Sequence, residues 1–187
     1  WPDLSGAGNH ADLIVDEPTW SATGINGHPS VRIDGQDLVA TTKAFNNRYS
    51  IFTVSRLSGL ANERLISSRT NNWILGYWQG YEDVMHADGW VTTQQNPATA
   101  APHLYSAMND GNSLISFYAD TRASVIFPNY NGQIGQLQFG GWQTGNERGW
   151  GEIAEVLVYD RHVNEQERIN IDSYLNARYG LNGLDAA

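Results

Sequence analysis

Two aromatic-rich segments hold the residues whose types and spacing could do chemistry. Asn71 to Trp90 carries three Trp, two Tyr and three acids within twenty residues. Gly140 to Trp150 sets Trp142 beside Gln143, Asn146 and Glu147. Flat rings stack on the C–H faces of sugars, and sugar hydroxyls need Asn, Gln, acid and backbone partners; both segments supply that mixture. Each ring could equally be core, because an aromatic side chain buries about 150–250 Å². Position separates the two roles. If Trp73–Trp78 is a strand, Trp73, Leu75 and Tyr77 share one face, with Ile74 and Trp78 on the other. Mid-strand Trp73 is then expected in the core. Trp78 ends the strand, Tyr81 follows a glycine, and Trp90 follows the Asp88-Gly89 turn, so these rings are expected half-exposed where the chain leaves the sheet for a loop. Ligand contact is expected at Trp78, Tyr81 and Trp90, joined by Trp142, Gln143 and Asn146 from the second segment.

Other chemistries are thinly supported. Calcium takes six to eight oxygens, often from loop Asp side chains. Asp83, Asp88 and Asp110 are the candidate ligands, although their spacing matches no EF-hand. The five His are scattered without ligand spacing, and there is no Cys, which excludes a thiolate metal site, a cysteine nucleophile and a disulfide. No Gly-x-Ser-x-Gly, His-Glu-x-x-His or phosphate-cradling glycine loop occurs. The acid pairs Glu152/Glu155 and Glu82/Asp83 lack the i, i+2 spacing that puts two carboxylates on one strand face, and are read as solvated or ion-paired.

The elements that must position these residues are short strands. In 187 residues there are 19 Gly and 17 Asn, and turn pairs recur at Asn26-Gly27, Asp34-Gly35, Ser58-Gly59, Asp88-Gly89, Asp110-Gly111, Asn131-Gly132 and Gly140-Gly141. Strands are expected at 50–56, around 65–66, at 73–78 and at 134–139, with a hairpin of 104–108 and 114–118 about Asp110-Gly111. Ile153 to Tyr159 is apolar on both faces apart from Glu155, so it should lie inside a sheet and be covered on both sides. One helix follows. Asn164 and Glu167 form a capping box, Val163, Ile169, Tyr174 and Leu175 make a ragged apolar stripe, and Gly180 closes it. It is expected to pack on the rim of a sandwich. Residues 1–181 read as one domain and 182–187 as a tail.

Twenty acids against eleven bases give a net charge of −9. Only one base is Lys, and no basic face is available for nucleic-acid phosphates. No apolar run is long enough to cross a membrane as a helix.

Several stretches resemble the bacterial laminin-G-like domains of the concanavalin A-like lectin/glucanase superfamily. The C-terminal run Gly151 to Arg161, followed by Asn164 to Arg168 and Tyr174 to Leu181, is similar to the family's last strand and closing helix. Trp1 to Asn9 and Gly27 to Gly35 resemble its opening motifs, and 50–56 its next strand. The resemblance implies a jelly-roll sandwich of two antiparallel sheets with one short C-terminal helix. It makes Trp1, Asp34, Gly35, Trp150, Gly151 and Glu155 framework positions. It also implies a secreted or surface module of a longer multidomain chain, binding a glycan or a peptide, often with calcium. The expected function is therefore a non-catalytic carbohydrate-binding or adhesion module. A calcium-dependent peptide- or protein-binding adhesin module is the alternative. The superfamily also includes glycosidases and lyases, but a polysaccharide hydrolase or lyase is disfavoured because the laminarinase-type Glu-x-Asp-x-Glu strand motif is absent.

Overall fold

The computed structural model describes residues 1–92, 96–128 and 132–181. Asn131 of one expected turn and the expected tail 182–187 lie outside the described residues. In chain order the strands are β1 (Ala11–Val15), β2 (Thr19–Ser21), β3 (Ser30–Asp34), β4 (Leu38–Thr41), β5 (Arg48–Asn62), β6 (Ile66–Ser68) and β7 (Trp73–Trp78). They continue with β8 (Tyr81–Ala87), β9 (Asn96–Pro97), β10 (His103–Asp110), β11 (Leu114–Ala119), β12 (Arg122–Pro128), β13 (Leu137–Phe139) and β14 (Gly149–Tyr159). The helix α1 (Glu165–Tyr179) follows β14. The strands form two antiparallel seven-stranded sheets: sheet A in the order β1-β4-β13-β6-β7-β8-β9, and sheet B in the order β12-β11-β10-β5-β14-β3-β2. This is the expected sandwich of two antiparallel sheets with a single C-terminal helix.

The main core lies between the sheets. Trp73, Leu75 and Tyr77 of β7 meet Tyr49, Ile51, Tyr105 and Phe117 of sheet B, all fully buried. Their polar tips are satisfied: Trp73 Nε1 donates to Tyr49 Oη at 2.9 Å, and Tyr77 Oη donates to the Ser55 carbonyl at 2.9 Å. Trp73 is thus core, as the alternation of β7 requires. β14 sits between β5 and β3 inside sheet B, as its two-faced apolar pattern anticipated.

The helix departs from expectation. It does not sit on the rim but covers the outer face of sheet B, where Val163, Leu175 and Tyr179 pack with Phe52, Val54, Leu104 and Met108 in a second core. Strands β5 and β10 are apolar on both faces, and the outer face must be covered by something. The buried stripe of α1 is Arg168, Asp172, Leu175 and Tyr179, whereas Ile169 and Tyr174 are exposed. Arg168 is tolerated inside because it pairs with Asp172 at 2.5 Å and lies 4.1 Å from the Tyr118 ring centroid. Both caps form as read: Asn164 and Glu167 complete the capping box, and Gly180 takes the left-handed conformation.

Candidate functional site

The site begins with a two-residue hairpin. Gln79 and Gly80 both have positive φ, 50° and 78°, and Trp78 pairs directly with Tyr81 across them. The chain therefore does not leave the sheet at Tyr81, as expected from the glycine, but re-enters it at once as β8. Tyr81 is half-buried and is held between Trp78 and Pro97 by strand pairing. The sequence concealed β8 because Asp83, with φ of 60°, forms a bulge that breaks the alternation between Glu82 and Val84. Beyond Ala87 the Asp88-Gly89 turn folds Trp90 back as a bridge partner of His86.

Trp78 and Ile74 share the face of β7 opposite to the core, and Ile74 is paired with His86. On this outer face Trp78 and Trp90 lie 4.8 Å apart between ring centroids, tilted by 45°. The His86 ring meets Trp90 edge-on at 4.8 Å and 87°. Burial lowers the His86 pKa, which keeps the ring neutral at pH 7, and its Nδ1 donates to the Asn72 carbonyl at 2.9 Å.

The loop of residues 140–148 folds over the same face. The Gly141 carbonyl accepts from Ser67 Oγ and from Gln138 Nε2, two buried polar groups on the outer side of sheet A. A tight turn places Gln143 at φ 50° and closes with paired bonds between Trp142 and Asn146. Arg148 pins the loop by donating to the carbonyls of Gly145, Gln36 and Asp37. Trp142 Nε1 donates to the Asn71 carbonyl at 3.1 Å, which ties the second aromatic segment to the start of the first.

The joint between the two segments is Arg64, which the sequence reading passed over. Arg64 is 3% exposed. Its Nε donates to Glu147 Oε2 at 2.5 Å, its Nη1 donates to Asn72 Oδ1 at 2.9 Å, and its guanidinium lies 4.3 Å from the Trp142 ring centroid. Glu147 Oε2 also accepts from Trp78 Nε1 at 2.9 Å. An unbroken series of contacts thus runs Trp90–Trp78–Glu147–Arg64–Trp142. Glu63 stands beside it, its carboxyl pushed up first by burial and then by the Glu147 charge. Within this array Trp90 is 39% exposed, Gln143 and Asn146 are exposed, and Trp78 and Trp142 are half-buried. Among the described residues, five of the nine non-glycine residues with positive φ, namely Gln79, Asp83, Asp88, Gln143 and Glu147, belong to these two segments. Such backbone is costly and clusters where a surface is held in a fixed shape.

The three acids considered for calcium do not come together. Asp83 Oδ2 accepts from Asn96 Nδ2 at 2.6 Å, and Asp88 is exposed at its turn. Asp110 Oδ1 accepts the backbone N–H groups of Asn112, Ser113 and Leu114, which hold its carboxyl below the usual range. Among the described residues no three His, Cys, Asp or Glu side chains gather where they could hold an ion. The acid pairs are engaged as expected: Glu152 with Arg56 at 3.1 Å, Glu155 with the Tyr179 hydroxyl at 2.8 Å, and Glu82 with His103 at 3.3 Å.

No protein-family model matches the chain, and no curated protein matches it in sequence. Solved structures do match in fold. Domain 4 of AbnA, a GH43 extracellular arabinanase of Geobacillus stearothermophilus solved with arabinotriose, superposes with a TM-score of 0.67 at 12% identity, covering 90% of this chain and 91% of that one. The binding domain of Paraclostridial Mosquitocidal Protein 1 superposes at 0.68 and 13% identity, covering 94% of this chain and 50% of that one. A botulinum neurotoxin type C structure, whose cell entry depends on two ganglioside molecules, superposes at 0.63 and 10% identity, with 93% and 48% covered. The chain spans about half of the toxin structures. At these identities the likeness is one of fold: a β-sandwich of the kind found in those binding domains.

Proposed function

We propose that the chain is a non-catalytic carbohydrate-binding module and that it takes its ligand on the outer face of sheet A. The observation that carries this reading is the aromatic array there, with Trp90 exposed and braced by Trp78 and His86. A ring fixed in place offers a sugar a flat apolar surface at little entropic cost. Gln143 and Asn146 stand on the neighbouring loop with amides free of fixed secondary-structure roles, suited to hydroxyls. The fold is shared with an arabinanase domain solved with arabinotriose and with a toxin that uses gangliosides, which supports a saccharide ligand and a secreted or surface setting.

Hydrolysis is not part of the proposal. Glu147 is committed to Arg64 and Trp78, and Glu63 Oε2 is buried, so neither acid is presented to a glycosidic bond. The test is binding to soluble and insoluble polysaccharides by the wild type and Trp90→Ala, with reducing ends assayed in parallel. Retention by the wild type, loss in the variant and no released sugar are expected. Unchanged retention in a folded Trp90→Ala protein would place the ligand elsewhere.

A further inference from the structure

The charge around the array bears on the kind of glycan it accepts, given that carbohydrate binding is its role. The two aromatic segments, residues 71–90 and 140–150, contain a single base, Arg148, and four acids, Glu82, Asp83, Asp88 and Glu147. Glu63 and Arg64 join them from the stretch before. Both bases have hydrogen-bond partners within the fold. Arg64 is buried and holds Glu147, Asn72 and the Trp142 face, and Arg148 holds three backbone carbonyls. Arg69, the remaining base of the connecting stretch, stands at a bend whose backbone N–H bonds the Gln136 carbonyl. Two of the acids, Glu82 and Asp83, turn to His103 and Asn96. Asp88 remains exposed two residues before Trp90, and the Glu147 side chain keeps 29% of its surface. The whole chain carries −9.

A sugar carboxylate, sulfate or phosphate stacked on Trp90 would find the exposed Asp88 carboxylate two residues away, while Arg64 and Arg148 already direct their N–H groups to Glu147, Asn72 and backbone carbonyls. Like charges at an interface cost several kcal/mol and slow encounter. Hydroxyls meet no such penalty, because carboxylate oxygens accept their hydrogen bonds. We propose that this surface selects neutral oligosaccharides and rejects uronate-, sialate- or sulfate-bearing ones.

The experiment is calorimetric titration of the intact chain with neutral arabino-, gluco- and galacto-oligosaccharides and with sialylated and uronate-containing counterparts, at 50 and 500 mM NaCl. At least one neutral series is expected to bind with affinity changed less than about twofold by salt, since no ion pair is formed. The acidic counterpart of that series is expected to be at least about tenfold weaker at 50 mM, about 1.4 kcal/mol, and to recover part of the gap at 500 mM. Trp90→Phe should keep most of the binding and Trp90→Ala lose it, with circular dichroism checking that both fold. Tighter binding of the acidic glycan, weakened by salt and abolished in Arg69→Gln, would overturn the charge inference while leaving carbohydrate binding intact. Binding of no glycan would overturn both.

Discussion

At the residue scale, one residue type plays opposite parts within eighteen positions. Trp73 and Trp90 are both indoles of the same segment, yet one is 0% and the other 39% exposed. Trp73→Ala should cost about 3–5 kcal/mol, as large-to-small core changes do. Trp90→Ala should leave the denaturation midpoint nearly unchanged and remove binding. A urea titration beside a pull-down separates the two, and a Trp90→Ala protein that unfolds would move this ring into the framework. The rings themselves were legible in the sequence because their density exceeded what one core uses. Arg64 was not, because its partners Glu147, Asn72 and Trp142 are brought to it only by the folded sheets. Its removal leaves a partly buried Glu147 without its cation. Arg64→Ala is expected to lower stability by about 1–3 kcal/mol, the cost of an unsatisfied buried polar group. It should also weaken glycan binding by freeing the 140–148 loop. An Arg64→Ala protein with wild-type stability and affinity would deny the brace its role.

At the element scale, an imidazole joins the hairpin of β7 and β8 to sheet B beside the hydrogen bonds of Trp73 and Tyr77. His103 of β10 has Nε2 3.3 Å from Glu82 on β8 and Nδ1 2.8 Å from Asp120 in the turn after β11. Burial alone would lower the His103 pKa, but the Asp120 and Glu82 carboxylates, with Asp83 beyond them, outweigh it and hold the ring above its ordinary range. A His raised in the folded state contributes stability that is fully present below its unfolded value near 6.5 and is lost as pH rises through the folded value. Denaturation midpoints are therefore expected to fall as pH rises from about 6.5 upward, and His103→Gln should flatten that slope. A slope unchanged in the variant would assign it to other groups. The elements most legible in sequence were those with unbroken patterns, namely β7, the β10–β11 hairpin, β14 and the capped helix. β8 was hidden by the Asp83 bulge, and the helix's buried face by the use of Arg168 and Asp172 in place of apolar residues. Glycine spacing carried more than turns: Gly35, at φ 84°, lies under Trp150, whose Nε1 would stand 1.2 Å from an added Cβ. Gly35→Ala should destabilise by about 2 kcal/mol or more, combining backbone strain with displacement of a packed ring. A thermal melt within a degree of the parent would contradict the packing.

At the scale of the whole molecule, the sandwich was legible because turn pairs and two-faced apolar strands leave few other ways to bury a chain of this size. The order of strands within the two sheets was not, since it depends on pairings between distant segments such as β4 with β13 and β5 with β14. The same distance separates the three acids named as calcium ligands. Asp83, Asp88 and Asp110 are each placed at a turn or bulge by local backbone needs, and the sandwich carries them apart rather than together. Two buried cores and the α1 cover supply the packing. An ion bound only to the folded state at 100 times its dissociation constant would add about 2.7 kcal/mol. For a chain of this size that raises the melting temperature by roughly 2–4 °C for each kcal/mol. If these cores alone stabilise the fold, EDTA leaves the melting curve where it is and added calcium leaves glycan affinity unchanged. A drop of several degrees on chelation, restored by calcium, would require a site built mainly from loop carbonyls, and glycan binding would then have to be remeasured with that ion in place.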